Sequence, residues 1–182
     1  MAVQGKSGKD KFADLMGFIK SDSAERHVKK GMDLLERKDW EGAKREFEDA
    51  LIIFQELDAI SRAAQMLSFL GLCCFALKQF DQAADYLCKA ISLHQKMGDE
   101  EGEATGHLGR GDVLLAKGDN EAALRDFQRA LGMFVRNQIH DGVTQSYKGM
   151  ERTYQAMGDK LRAEEAGEMA EAARRRLVNS PM

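Results

Sequence analysis

The 182-residue chain contains a single proline, Pro181, one position from its end. Proline breaks helices by removing an amide donor and clashing with the preceding turn, so no breaker of that kind interrupts residues 11–177. Cysteine is scarce as well: Cys73, Cys74 and Cys88. An odd number without paired spacing excludes a disulfide framework and points to reduced thiols in a cytoplasmic setting. The expected role of all three is as small, buried apolar residues. Long apolar runs are missing too. The longest, 67–77, contains Ser68 and falls short of the about 20 residues that span a bilayer. Residues 1–11 are polar with three lysines and no apolar stretch follows, so no secretory leader is expected. A net charge of −3 and a pI near 5.9 give no general pull toward nucleic acid or an anionic membrane. The one dense basic run, Arg174, Arg175 and Arg176, fans out around a helix and suits a helix C-terminus. Neither nucleic-acid binding nor membrane insertion is expected.

What the chain does have is a strict internal register. Glycine recurs at Gly31, Gly71 and Gly111, and alanine at Ala43, Ala83, Ala123 and Ala163. Large residues follow at Phe47, Leu87 and Phe127, then alanines at Ala50, Ala90, Ala130 and Ala170. With only 17 glycines in the chain, three on one period are not a compositional accident. Such self-similarity is the mark of a repeat array, which offers an extended binding surface rather than one catalytic pocket.

Each repeat parses as two helices. In the second, Leu67, Leu70, Gly71 and Cys74 form one apolar stripe, and Ala83, Leu87, Ala90 and Ile91 form another. Turns fall on the same period at Asp39, Gln79, Asp119 and Asp159, preceded by lysine or glycine. Glycine supplies a left-handed C-cap and aspartate begins the next helix. Links between repeats are expected at 57–58, 97–99 and 138–142. Small residues let paired helices approach to about 8–10 Å, and Phe47, Leu87 and Phe127 fill the space toward the next repeat.

These columns resemble the tetratricopeptide repeat: Gly at its eighth position, Ala at its twentieth, a large residue at its twenty-fourth, Ala at its twenty-seventh. The family's usual period is 34, and the 40-residue spacing here resembles the subclass of kinesin light chains and of adaptors for heterotrimeric G proteins. The resemblance implies an all-α fold, a right-handed superhelical solenoid of four helix-turn-helix repeats at 24–63, 64–103, 104–143 and 144–178. Residues 1–23 are then an N-terminal extension and 179–182 a tail. The family's terminal proline is absent, and the fourth repeat departs at Glu151 and Gly167, as a solenoid end with an altered outer face would.

The resemblance also implies a concave groove lined by the first helix of each repeat. Its positions fall on Val28, Met32 and Leu35 in the first repeat and on Phe69, Leu72 and Phe75 in the second. They fall on Leu108, Asp112 and Leu115 in the third, and on Lys148 and Arg152 in the fourth. The family groove that grips chaperone C-terminal carboxylates needs lysine and asparagine where Val28, Met32, Ser68 and Leu72 stand, so that ligand is excluded. A hydrophobic or amphipathic protein or peptide segment fits better, with an acidic end near Lys148 and Arg152. Phe69, Leu72 and Phe75 could equally be core, since apolar stripes at helical spacing usually are.

Outside the register, residues 9–20 place Phe12, Leu15, Met16 and Ile19 on one helical face. That segment either caps the first repeat or docks in a groove, its own or that of a second copy, which would give a homo-oligomer. A new helix start is expected at Ser21, Asp22 and Ser23. His27, His94, His107 and His140 lack metal-ligand spacing, and no carboxylate pair among 30 acidic residues stands out as an acid–base dyad. Gly5-Lys6-Ser7 lacks the upstream glycine of a phosphate loop, and Gly106, Gly109 and Gly111 follow no strand. No catalytic residue, cofactor or metal is expected, and the chain reads as a binding adaptor.

Overall fold

A computed structural model of the chain describes residues 8–179, with side chains described for 14–175. Among these residues every element is a helix: α1 (Gly8–Glu36), α2 (Trp40–Glu56), α3 (Ile60–Ala76), α4 (Phe80–Met97), α5 (Glu100–Lys117), α6 (Asn120–Arg136), α7 (His140–Met157) and α8 (Lys160–Asn179). Each packs antiparallel to the next through a short turn, and the pairs stack into a solenoid.

The turns share one geometry. Lys38, Asp58, Lys78, Gly98, Gly118, Gln138 and Gly158 all have φ between 51° and 83°, evenly spaced at two to each of the first three repeats and one in the fourth. In each turn the left-handed residue's amide donates to a carbonyl three residues back. The next amide reaches five back, with all bonds at 2.8–3.2 Å. Asp39, Asp99, Asp119 and Asp159 then accept an amide from the following helix through their side chains, satisfying a donor that helix starts leave unpaired. The link expected at 138–142 is shorter than the sequence suggests, because α7 begins at His140.

The register columns are the core. Gly31, Gly71 and Gly111 are buried, and a Cβ at each would lie 2.6–2.7 Å from the side chain of Phe47, Leu87 or Phe127 in the same repeat. Both alanine columns are buried along the whole array. In the fourth repeat the small and large partners trade helices. Glu151 on α7 stands where the glycines do, and a Cβ on Gly167 of α8 would meet its carboxyl at 3.3 Å. The apparent degeneracy of that repeat is a compensated exchange of volume.

The helix start expected at residues 21–25 does not occur. α1 runs unbroken through Ser21, Asp22 and Ser23, because the segment holds neither the proline nor the glycine that would force a stop. α1 is therefore 29 residues long against 17 in α2. Lys20 reaches Glu56 in the last turn of α2 at 2.7 Å, which leaves the first turns of α1 projecting beyond its partner.

Candidate binding face

The odd-numbered helices form the inner side of the stack. The backbones of α3 and α5, and of α5 and α7, come together, whereas those of the even-numbered helices do not among the described residues; α2 and α4 are linked by side chains, Lys44 to Gln82 at 3.1 Å and Tyr86 to Glu48 at 3.3 Å. What sets the approach of neighbouring odd helices is the residue at one register position. Gly109 leaves α5 free to come against Leu87, and a Cβ at Gly149 would sit 2.5 Å from the Phe127 ring. Phe69 stands at the equivalent place in α3 and stacks on Phe47, with centroids 4.9 Å apart and planes 17° apart. A ring in place of a hydrogen atom wedges the backbone of α1 away from that of α3, while Arg62 of α3 still donates to Glu25 of α1. The inner face is thus open in its first half and closed in its second.

The residues expected to line the groove divide accordingly. Met32 and Leu72 are 40% and 46% exposed, on the two helices flanking the open half. Val28, Leu35 and Phe69 pack partly buried against the first core cluster, and Phe75 tilts against Phe80 at 5.9 Å. Leu108 belongs to the α5–α6 core, and Leu115 is half-buried. The basic pair expected in the fourth repeat is not a free pair. Arg152 donates to Asp112 at 2.8 Å across α5 and α7, which ties the closed half together, while Lys148 stays exposed. Burial lifts the Asp112 carboxyl above its usual range, and Arg152 offsets part of that rise. One register position therefore reads Met32, Leu72, Asp112, Arg152 along the face: two exposed apolar side chains, then an ion pair.

Two polar clusters also recur, at equivalent positions of the first and third repeats. His27 and Lys30 converge on Glu46 at 2.8 and 2.6 Å; His107 and Arg110 converge on Asp126 at 3.0 and 2.6 Å. The second repeat puts Leu67, Leu70 and Tyr86 at the same positions, and the fourth Tyr147, Met150 and Ala166. Burial raises the Asp126 carboxyl, yet Arg110 and His107 outweigh it and hold the group below the ordinary carboxylate range. Asp49 also comes within 4.8 Å of His27 and Glu46, a grouping of metal-ligand types that sequence spacing concealed because it joins two helices. The Lys30 ammonium already supplies the positive charge there.

Burial as small apolar residues holds for Cys73 and Cys74, whereas Cys88 is exposed and receives a hydrogen bond from Arg110 at 3.2 Å. Leu15, Met16 and Ile19 are exposed on the projecting part of α1; the Phe12 side chain lies outside the described residues. No described helix is long and apolar enough to cross a membrane.

Comparison with known proteins agrees with this geometry. The tetratricopeptide repeat family model matches residues 22–96. Comparison with curated proteins gives no match. Among solved structures, aspartyl phosphate phosphatase F from Bacillus subtilis is similar with a TM-score of 0.82 at 20% identity, over 88% of this chain and 42% of its own. BtubC from P. vanneervenii gives 0.75 at 21%, over 87% and 66%. The Rap conjugation gene regulator of plasmid pLS20, solved with a Phr peptide, gives 0.74 at 22%, over 87% and 44%. The chain thus spans about two thirds of one of these proteins and less than half of the other two. Residues 22–96 match the tetratricopeptide repeat, and the chain shares a helical solenoid fold with these structures over nearly nine-tenths of its length.

Proposed function

We propose that the chain is a cytoplasmic adaptor that holds an amphipathic segment of a partner protein against the open half of its inner face. The observation that carries this reading is the exposure of Met32 and Leu72 beside the gap that Phe69 wedges open between α1 and α3. An apolar side chain of the partner would enter between them, with Val28, Leu35 and Phe75 as the floor. Large apolar residues left in water on a concave surface gain about 25 cal/mol per Å² when covered. The tetratricopeptide fold itself is a protein-interaction scaffold, and the regulator of similar fold carries a peptide. An acidic residue of the partner would meet Lys148 rather than Arg152, whose charge Asp112 already takes. The reading invokes no catalysis, cofactor or nucleic acid.

Panning a displayed peptide library on the wild-type chain, then measuring the selected peptides by fluorescence anisotropy, tests it. Leu72→Asp and Met32→Asp should weaken binding at least tenfold with helicity by circular dichroism unchanged. Peptides that bind both variants as tightly as wild type would overturn the assignment. Phe69→Glu is a poor probe, because it places a carboxylate against the Phe47 ring and destabilises the core by about 3 kcal/mol.

A further inference from the structure

A second surface stands apart from the groove. Leu15, Met16, Phe18 and Ile19 are 54%, 39%, 71% and 47% exposed, four large apolar residues within five positions. They lie on the projecting turns of α1, a helix that packs against α2 and touches α3 through the pair of Glu25 and Arg62. Together they leave about 400 Å² of apolar surface in water, the size at which an exposed patch on a monomer is usually functional. A projecting helix of about 12 residues is also marginal in water unless something covers its apolar face.

The helix period fixes where this stripe points. Leu15, Ile19, Ser23 and His27 follow one another at i+4, with Met16 and Lys30 alongside; Val28, Met32 and Leu35 lie on a different side of the helix, and Phe18 borders the stripe on the edge toward Met32. In later repeats the His27 and Lys30 positions face the preceding repeat. Leu67 and Leu70 are buried with Leu51 and Phe54, and Arg110 reaches Cys88 of α4. The stripe thus continues the end face onto which another helix pair would stack, an extension of the interface that already joins the repeats. The projecting turns cannot cover it themselves, since α1 is unbroken and cannot fold back.

We infer that this N-terminal end face is a homodimer contact in which α1 of one copy packs antiparallel on α1 of a second, crossing near Leu15 and Met16. Head-to-tail stacking on α8 finds no apolar counterpart at the matching positions among the described residues. The positions of Leu51 and Phe54 become Glu171 and Arg174 on α8, which are exposed and paired at 3.7 Å. An apolar stripe gains nothing against that surface. A like stripe is its complement, and a closed two-fold pair is the commonest assembly of identical chains. Two patches face to face, with the side chains that flank them, reach the about 1,000 Å² that a weak specific dimer requires.

Sedimentation velocity of the full chain across a wide concentration range tests this independently of the groove. The average mass should rise from 20.3 kDa toward twice that value. Leu15→Asp and Ile19→Asp should weaken association by about a hundredfold without loss of helicity in the repeats, and Leu161→Asp on α8 should change nothing. Leu72→Asp should leave the dimer intact, and Ile19→Asp should leave peptide binding intact, so the two readings fail separately. A chain that stays monomeric at every concentration would overturn the inference. So would a dimer that survives both stripe substitutions, or a monomer that sediments with lipid vesicles through the same residues.

Discussion

Lysine, aspartate and glutamine rarely adopt the left-handed backbone that every turn of this array requires. A side chain at positive φ costs about 1 kcal/mol relative to glycine, yet Lys38, Asp58, Lys78 and Gln138 adopt it, held by the same pair of hydrogen bonds that serves Gly98, Gly118 and Gly158. A Cβ at those three glycines would meet nothing within 4 Å, so the cost in these turns is one of backbone conformation alone. Lys38→Gly and Lys78→Gly should each raise stability by about 0.5–1 kcal/mol, and Gly118→Ala should lower it by about 1 kcal/mol. Thermal melts of the three variants check both signs. The sequence marks the glycine turns openly. The other four are legible only by their register with the glycine turns, because no local feature of Lys38 or Gln138 signals positive φ.

Between elements, the packing rule is one small partner facing one large one. It survives reversal: Gly111 against Phe127 in the third repeat, Glu151 against Gly167 in the fourth. Gly167→Phe alone should clash with Glu151 and cost about 1–3 kcal/mol. Glu151→Gly alone should cost about 1 kcal/mol from helix propensity. The double variant should recover part of both losses, with a coupling of about 1–2 kcal/mol in a chemical-denaturation cycle. Simple additivity would show that the two positions do not share a space. The same rule explains the opening of the inner face. Gly109 and Gly149 stand one repeat apart and so belong to a column, but their meaning depends on Phe69 at the third place in that column. Spacing reveals the column, while only the contact with Phe47 shows that its occupant sets the distance between helices.

For the molecule as a whole, the weak point under acid is the pairing of α5 with α6 in the third repeat. His107, Arg110 and Asp126 meet there with Asp126 buried, and Arg129 lies 4.0 Å away. Because Arg110 and His107 hold the folded-state value of Asp126 below its ordinary one, the carboxylate stabilises the fold above its unfolded value. That contribution is lost as the pH falls through the folded one. Glu46 and Asp99 shift in the same direction, so the melting temperature should hold through neutral pH and fall steeply below about pH 4. Asp126→Ala should cost about 3 kcal/mol at neutral pH, since it strands Arg110 and His107 in a buried place, and should flatten the acid limb. A melting temperature unchanged by that substitution would mean the cluster is not coupled to folding.

The helices, their pairing and the number of repeats were all legible in the chain. These follow from local periodicity and from columns of small and large residues that recur once per repeat, and each is written within a few turns of chain. The sequence set Met32 and Leu72 among the groove positions but gave no means of separating them from Phe69, Phe75 or Leu108. All five are apolar at helical spacing, and exposure depends on what a neighbouring helix brings opposite. Only the packed helices reveal that Arg152 is spent on Asp112, that His27 meets Glu46, and that α1 runs on past the first repeat with its apolar stripe exposed. Each of these depends on where side chains from different helices lie relative to one another, and a period read along one chain carries no record of that.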